Sequence, residues 1–230
     1  GTNRSGVVVY SSVTAARPGE PFLGEAIASI YAQSLPPEKV IIVLNGDPSR
    51  TNIERTRVSH WFPSAEIVES PVPSLARALQ LGLRRVQTRY IAFLDADDAW
   101  SPEKQAIQID LLRSCEDLDA VVGRTLNRTV ELSRGDVHET PVAGRLFGAV
   151  TFTREAFSIY GTPDPTAQHF TWLYRWWSRA DKSGIRVEHH RDVVLHRRIH
   201  ESNGWVREND EGRRQLLGEV RRIHGQREHA

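Results

Sequence analysis

The 230-residue sequence has no methionine, one cysteine and a formal net charge of only +1, from 30 basic and 29 acidic residues. Each scarcity excludes something. A single thiol, Cys115, cannot close an internal disulfide, so a reducing, cytoplasmic setting is the expectation. A near-neutral balance gives no reason to expect nucleic acid or another acidic polymer as partner. No apolar run approaches the roughly 18 residues of a membrane span, so no transmembrane segment is expected. Residues 1–6 (GTNRSG) are polar and the next apolar run is short, so no signal peptide is expected either. Asn127-Arg128-Thr129 has the form of a glycosylation acceptor, but outside a secretory context it reads as a chance tripeptide. No repeat or low-complexity linker divides the chain. Its 39% hydrophobic and 26% charged residues are ordinary for one globular domain spanning 1–230.

What is present alternates. Gly6 to Val13 and Lys39 to Leu44 are short runs apolar on both faces, as buried strands are. Arg89 to Leu94 is another, and Ala65 to Glu69 reads as a strand between them. Helical spacing falls between these runs. Glu20 to Gln33 carries Phe22, Leu23, Ala26, Ile27, Ile30 and Tyr31 on one face and stops at Pro36-Pro37. A second helix is expected from about Ile53 to Phe62. Ser74 caps a third, with Leu75, Leu79, Leu83 and Val86 in line. Strands of this kind alternating with amphipathic helices predict βαβ units and an α/β fold around a mostly parallel, Rossmann-like sheet. Ser101-Pro102-Glu103 is a strong helix start, and that helix is expected to reach Ser114. Beyond it the pattern loosens. Ala120 to Val130, Arg145 to Thr153, Arg186 to Glu188 and Val193 to Arg198 read as strands. Thr166 to Lys182 reads as a Trp-rich helix with Gly184 just past its end. Residues 206–230 read as a charged helix with Leu216, Leu217, Val220 and Ile223 as its apolar stripe. The chain thus divides into a regular half (about 7–100), an irregular half (about 101–205) and a C-terminal helix.

The regular half ends in YIAFLDADD, residues 90–98. One Asp after a strand needs no special explanation, because Asp favours turns. Three carboxylates in four positions repel one another and ask for a cation. Mg²⁺ and Mn²⁺ take hard oxygen ligands, and Mg²⁺ is typically held by one or two carboxylates plus substrate phosphates. Alternation puts Asp95 and Asp97 on one side and turns Asp98 away. Ligands of open parallel sheets bind beyond the strands' carboxyl ends. The turn Asn45-Gly46-Asp47-Pro48 lies at such an end too, so it is expected to share one cleft with the acidic turn.

FLGEAIASIYAQSLPPEKVIIVLNG and SLARALQLGLRRVQTRYIAFLDADDAWSPEKQAIQIDLL resemble the family 2 glycosyltransferases, which have a GT-A fold. GAVTFTREAF resembles that family's acceptor-side strand and helix, and VVLHRRIHESN its C-terminal R-x-H-x-x-N segment. The resemblance covers about Val7 to Asn203. It implies an inverting sugar transfer from a nucleotide-sugar donor, a UDP-sugar first of all, to an acceptor hydroxyl, with Mn²⁺ or Mg²⁺ as cofactor. Asp95 would then touch the ribose or the metal, with Ala96 beside the nucleotide, and Asp97 would ligate the metal. His200 would be a further metal or phosphate ligand, against the plain reading of a surface histidine in a basic strand. Arg197 or Arg198 would neutralise the diphosphate. Arg77 would face the cleft, although a solvated helix face explains it equally well.

Three departures from the family stand out. Where the family carries two acids after its second strand, this chain has Leu44-Asn45. Asn45 accepts a hydrogen bond from the base as an acid would, but it also donates. The first strand ends YSSVTAARPGE, where Ser12 and Thr14 offer hydroxyls to the nucleotide. At the family's base position, in a pattern like E-D-aromatic-x-W-L-x-R, this chain has Gln168-His169-Phe170-Thr171-Trp172-Leu173-Tyr174-Arg175. His169 is therefore the catalytic candidate, with Asp164 as a substitute. Trp172, Trp176 and Trp177 are most simply core packing. The sharper readings are that Trp172 stacks on the acceptor, or that an exposed Trp patch marks a homodimer surface. The alternative to an enzyme is a GT-A-like module that binds nucleotide and metal without transfer. A nucleotidyltransferase is weaker still, because residues 11–20 hold only Gly19 and no Gly-rich phosphate loop.

Overall fold

The computed structural model describes residues 10–131, 136–167 and 171–199. Its first half is laid out as the alternation predicts. Strand β1 (Tyr10–Ala16) is followed by helix α1 (Leu23–Tyr31), β2 (Lys39–Asn45), α2 (Pro48–Trp61), β3 (Glu66–Ser70), α3 (Leu75–Leu83) and β4 (Tyr90–Phe93). These four strands are parallel neighbours in the order β3-β2-β1-β4. Every residue of β1 and β4 is buried, which is why no polar alternation shows in their sequences. One face carries Val13, Ile41, Val43, Ile91 and Phe93 under α3. The other carries Tyr10, Ile42, Leu44, Tyr90 and Ala92 under α1. The fit is close on the α3 side. A Cβ on Gly82 would sit 2.4 Å from Val13 Cγ1 and 3.2 Å from Val43 Cγ2, so only glycine lets α3 approach the sheet this nearly.

The second half continues the same sheet with mixed directions. After β5 (Ala99–Trp100) and α4 (Lys104–Ser114) come the long strands β6 (Ala120–Glu131) and β7 (Asp136–Val142). A 3₁₀ turn (Phe147–Ala149), β8 (Val150–Thr153), α5 (Arg154–Ile159), α6 (Thr171–Lys182) and β9 (Val187–Ile199) complete the described elements. The full order is β3-β2-β1-β4-β8-β6-β9-β5, with β7 on β6. β8 runs antiparallel to β4 and β6, whereas β9 runs parallel to β6.

Several boundaries differ from the sequence reading, each for a local reason. β1 runs on to Ala16. α2 starts at Pro48 because Asp47 caps it, accepting from Ser49 N at 2.8 Å. Its first turn has no apolar residue to announce it. Ser101 does not cap α4. Its hydroxyl turns to β9 instead, donating to Val193 O at 2.7 Å. The run expected as one strand over Arg145 to Thr153 begins as the 3₁₀ turn. The two short strands expected near the end are one strand, β9, carried across its polar middle by a register shift against Val122–Thr125 of β6. Gly123 makes room there, since a Cβ would lie 2.5 Å from Val194 Cγ2. The expected C-terminal helix falls outside the described residues.

The distal core is aromatic. Phe147 meets Trp172 and Trp176, each at 5.1 Å between centroids, and Phe93 of β4 joins Phe147 at the same distance. Trp176 is fully buried and Trp172 and Trp177 nearly so. The indole N–H groups of Trp176 and Trp177 donate to Gly161 O and Arg145 O. An exposed Trp patch, the basis for expecting a dimer, is therefore absent from this helix: its three indoles are core.

Candidate active site

β1 ends at Ala16, β2 at Asn45 and β4 at Phe93, all at one edge of the sheet. β1 lies between β2 and β4, so chain order reverses there and a crevice opens above the strand ends. Two loops form one wall. Gly46 has φ +154°, and its Cα approaches Pro18 so closely that a Cβ would lie 3.2 Å from Pro18 Cδ. The 17–20 loop is held from beneath by α2. Glu54, buried in that helix, accepts from Gly19 N at 3.1 Å and pairs with Arg57, and Arg50 donates to Pro18 O. Glu54 was not a candidate from sequence. Its one signal is the Glu54-Arg57 spacing, which reads as an ordinary surface pair.

The acidic turn faces this wall. Leu94 N donates to Val13 O, and Asp98 N donates to Asp95 O, closing the turn. Asp95 reaches solvent but is otherwise surrounded by protein, and Asp97 is half-buried. Loss of hydration and then the charge of Asp97 push the Asp95 carboxyl up to about 6, while Arg197 pulls the other way. Asp98 is buried. Desolvation, Asp95 and Asp97 hold it well above the usual carboxylate range. Its Oδ1 accepts from Arg198 N at 2.9 Å, which ties the turn to the end of β9.

The structure gathers Asn45, Asp47, Asp95, Ala96 and Asp97 at the strand-end edge. Asn45 is 4% exposed at the last position of β2, whereas Asp47 is exposed and its carboxylate is engaged by Ser49. That engagement holds the Asp47 carboxyl below the usual range. Arg77 is exposed in the first turn of α3, next to the Ser74 cap. Ser12 and Thr14 are not brought to the crevice. Both are fully buried within β1, their hydroxyls without a partner among the described residues. The reason is the three-residue extension of β1 to Ala16, which takes Thr14 into the strand and leaves Ser12 further from its end. Arg17, exposed just beyond that end, stands where they were expected. The Arg198 guanidinium reaches Glu25 Oε2 at 2.6 Å and lies 3.8 Å above the Phe22 ring. Trp172 packs in the aromatic core. Asp164 accepts from Thr166 N and Oγ1 and pairs with Arg175, so its carboxyl stays low. His169 and His200 lie outside the described residues.

Among the described residues no three His, Cys, Asp or Glu side chains converge as a ready-made metal cage. Two crowded carboxylates fit a cation that draws its other ligands from a diphosphate and water, as Mg²⁺ commonly does.

Comparisons with known proteins give the family and the fold. The model of glycosyl transferase family 2 matches residues 9–176. The amylovoran biosynthesis glycosyltransferase AmsE of Erwinia amylovora is 24% identical over 202 residues, covering 80% of this chain and 74% of that one. The putative teichuronic acid biosynthesis glycosyltransferase TuaG of Bacillus subtilis (strain 168) is 24% identical over 154 residues, covering 62% and 60%. Residues 1–349 of S. aureus TarS, solved in complex with UDP-GlcNAc, match with a TM-score of 0.64 at 12% identity, over 93% of this chain and 66% of that one. The chain spans 40% of a longer TarS structure. A family match across most of the chain, on a crevice of this form, shows that the protein belongs to the family 2 glycosyltransferases and has their GT-A fold.

Proposed function

We propose that the crevice binds a nucleoside-diphosphate sugar, a UDP-sugar first of all, and that the sugar passes to an acceptor hydroxyl with inversion. The observation that carries this is the acidic turn: Asp95 and Asp97 crowd like charge beside a strand-end crevice, where lost hydration first and the Asp97 charge second push Asp95 up to about 6. TarS, of the same fold, is solved with UDP-GlcNAc.

Asn45 and Asp47 line the nucleoside end, and Asn45 reads the base through its amide. Arg77 stands at the rim. Asp95 and Ala96 support the ribose. Asp97, with His200, would hold Mg²⁺ or Mn²⁺. That cation would neutralise charge developing on the diphosphate as it leaves. The acceptor oxygen forms its bond to the anomeric carbon on the face opposite the breaking C–O bond, and its proton goes to His169. Neutral imidazole is available for this, because an unperturbed histidine has a pKa of about 6.5. Asp164 is a poor substitute, since its capping bonds favour the ionised, weakly basic form. That same observation favours a second reading. If His169 takes no proton, the domain serves instead as a nucleotide-binding module.

Thermal unfolding with UDP, GDP, CDP or ADP, with and without MgCl₂ or MnCl₂, tests the donor site. One nucleotide is expected to stabilise the protein only with metal, by about 2.7 kcal/mol at a hundredfold excess over its dissociation constant. Asp97→Ala should remove the metal requirement together with most of the affinity. Metal–nucleotide binding as tight as the parent's would refute the metal assignment. For the chemistry, His169→Ala should lower transfer by about 10² to 10⁴ at unchanged donor affinity.

A further inference from the structure

Helix α1 buries Leu23, Ala26, Ile27 and Ile30 against the sheet. A helix that meets water on its other side carries polar residues there. Here Ala28 and Ala32 are exposed instead, about one and two turns past Glu25. They floor an open groove of about 520 Å³, walled by Tyr31 and by Trp61, Phe62 and Pro63 at the end of α2. The walls are held in place. The Tyr31 and Phe62 rings stack at 5.7 Å with 5° between their planes, and Tyr31 Oη lies 2.8 Å from Ser64 Oγ. The Arg57 guanidinium lies 5.0 Å above the Trp61 ring. Trp61 is nonetheless 51% exposed and Tyr31 37%. A fixed aromatic groove left open to water is a surface that the apolar face of a helix covers well.

The chain itself arrives beside this groove. Arg198, one residue before the end of β9, reaches Glu25 Oε2 at 2.6 Å and lies 3.8 Å above the Phe22 ring. Glu25, Ala28 and Ala32 share one face of α1, at i, i+3 and i+7, so the chain leaves β9 about one helical turn from the groove. Residues 200–230 follow. At helical spacing Leu216, Leu217, Val220 and Ile223 form a stripe about 10 Å long, the same length as Glu25 to Ala32 on α1. The connector 200–205 reaches up to about 20 Å, enough to cross that stretch. Charge agrees as well. Between 213 and 223 the segment carries Arg213, Arg214, Arg221 and Arg222 against Glu219 alone. Exposed carboxylates flank the groove: Glu25, and Glu103, which accepts from Ser34 Oγ at 2.7 Å just past α1. α1 has no basic residue in its last turn, so its negative end is open to a cation. Gly212 and Gly218 weaken a free helix, which then needs a surface to form on.

We propose that the groove between α1 and the end of α2 seats this chain's own residues 206–230, as an amphipathic helix whose Leu216, Leu217, Val220 and Ile223 cover Ala28, Ala32 and Trp61. A second copy or a lipid surface would meet the same aromatics. The tethered segment outcompetes both in dilute solution, because a short connector holds it at an effective concentration of order millimolar.

The test uses the whole chain. Amide hydrogen exchange across 216–223 should be at least tenfold slower in the parent than in Ala28→Arg/Ala32→Arg, which fills the groove with charge that repels the segment. Both positions are exposed and arginine is a good helix former, so exchange in the sheet should not change. A second measurement uses Cys115→Ser as background, with Leu217→Cys combined with Ala28→Cys, with Ala32→Cys or, on the opposite face of the sheet, with Arg84→Cys. Disulfide closure within one chain should be at least tenfold faster for one of the two α1 pairs than for the Arg84 pair, at a rate independent of protein concentration. Exchange at 216–223 as fast in the parent as in the double arginine variant would overturn the proposal, as would closure no faster than that of the Arg84 pair. Disulfides formed only between chains, at a rate rising with concentration, would overturn it in favour of a second copy. Sedimentation of the parent but not Trp61→Ser with phosphatidylglycerol vesicles, with 216–223 exchanging freely in both before lipid is added, would overturn it in favour of a lipid surface.

Discussion

The two halves of the sheet bury polar groups in opposite ways. In the parallel half, β1 buries only neutral side chains, among them Ser11, Ser12 and Thr14, and the acidic turn stands at the strand ends. In the distal half an ionisable amine sits inside. Lys104 is 0% exposed. Its Nζ donates to Gln108 Oε1 at 2.8 Å, Thr151 Oγ1 at 3.0 Å and Val150 O at 3.3 Å, and lies 4.6 Å from the centre of the Trp100 ring. Three oxygens and a ring face are what a buried ammonium needs to offset lost hydration. The parallel half keeps its acidic turn at the edge, where a ligand can reach it. The distal half uses them to fix α4 against β8. The same contrast explains why one half reads easily from sequence and the other does not.

The largest effect tests whether the halves are mechanically one. Trp176 is fully buried among Phe147, Phe152 and Phe157, and that cluster includes Phe93 of the parallel half. Trp176→Ala should therefore cost about 3–5 kcal/mol and shift a single denaturant transition. Two separated transitions, with nucleotide-induced stabilisation confined to one, would show that the halves unfold independently.

Next in size is the buried amine. Desolvation holds Lys104 well below the usual lysine range. In that window the unfolded chain binds the proton more readily than the folded one, so stability should rise with pH up to the unfolded lysine value. The slope is at most about 1.4 kcal/mol per pH unit. Subtracting the profile of Lys104→Met isolates this residue. A difference that falls with rising pH would mean that the oxygen cage outweighs desolvation and the amine stays charged.

The parallel half should answer a smaller insult in its own way. Gly82→Ala adds one methyl group against Val13 and Val43 and should cost about 1–3 kcal/mol by overpacking. Nucleotide affinity should hold, because Val13 and Val43 lie inside the ends of β1 (Ala16) and β2 (Asn45). Lost affinity at a preserved fold would show that crevice geometry depends on this contact.

Legibility followed these differences. β2 and β4 stand out because burial on both faces leaves continuous apolar runs. The acidic turn stands out because like charge is hard to place without a cation. β7 gives no signal in the sequence: its residues, DVHETPV, show no apolar run and include Pro141, tolerable because among the described residues the strand pairs on one side only, with β6. β9 was read as two strands because a register shift, not an apolar pattern, carries it through His189–Asp192. Ser12 and Thr14 were misplaced by the length of β1, since a three-residue error moves a side chain from crevice to core. The two arginines of β9 differ only through what α1 and the acidic turn set around them, which no local pattern encodes.

The smallest effect separates two uses of Asp47, the point where the parallel half meets its ligand. Its carboxylate accepts from Ser49 N at 2.8 Å and from the Ser49 hydroxyl, capping α2. It also stands one loop from Asn45 at the crevice. Asn caps helices about as well as Asp, whereas Ala does not. Asp47→Ala should therefore lower stability measurably, and Asp47→Asn hardly at all. The cap's depressed carboxyl pKa adds a sign check. The folded value lies below the unfolded one, so this contribution is present above the unfolded value and is lost as pH falls through the folded one. Because the group is exposed, salt should shrink it. Nucleotide titration then decides the second use. If Asp47→Asn matches the parent in both stability and affinity, Asp47 is a cap alone and the nucleoside is read by Asn45. If Asp47→Asn keeps stability but weakens nucleotide severalfold, the charge itself meets the nucleoside, and one carboxylate serves both the helix and the ligand.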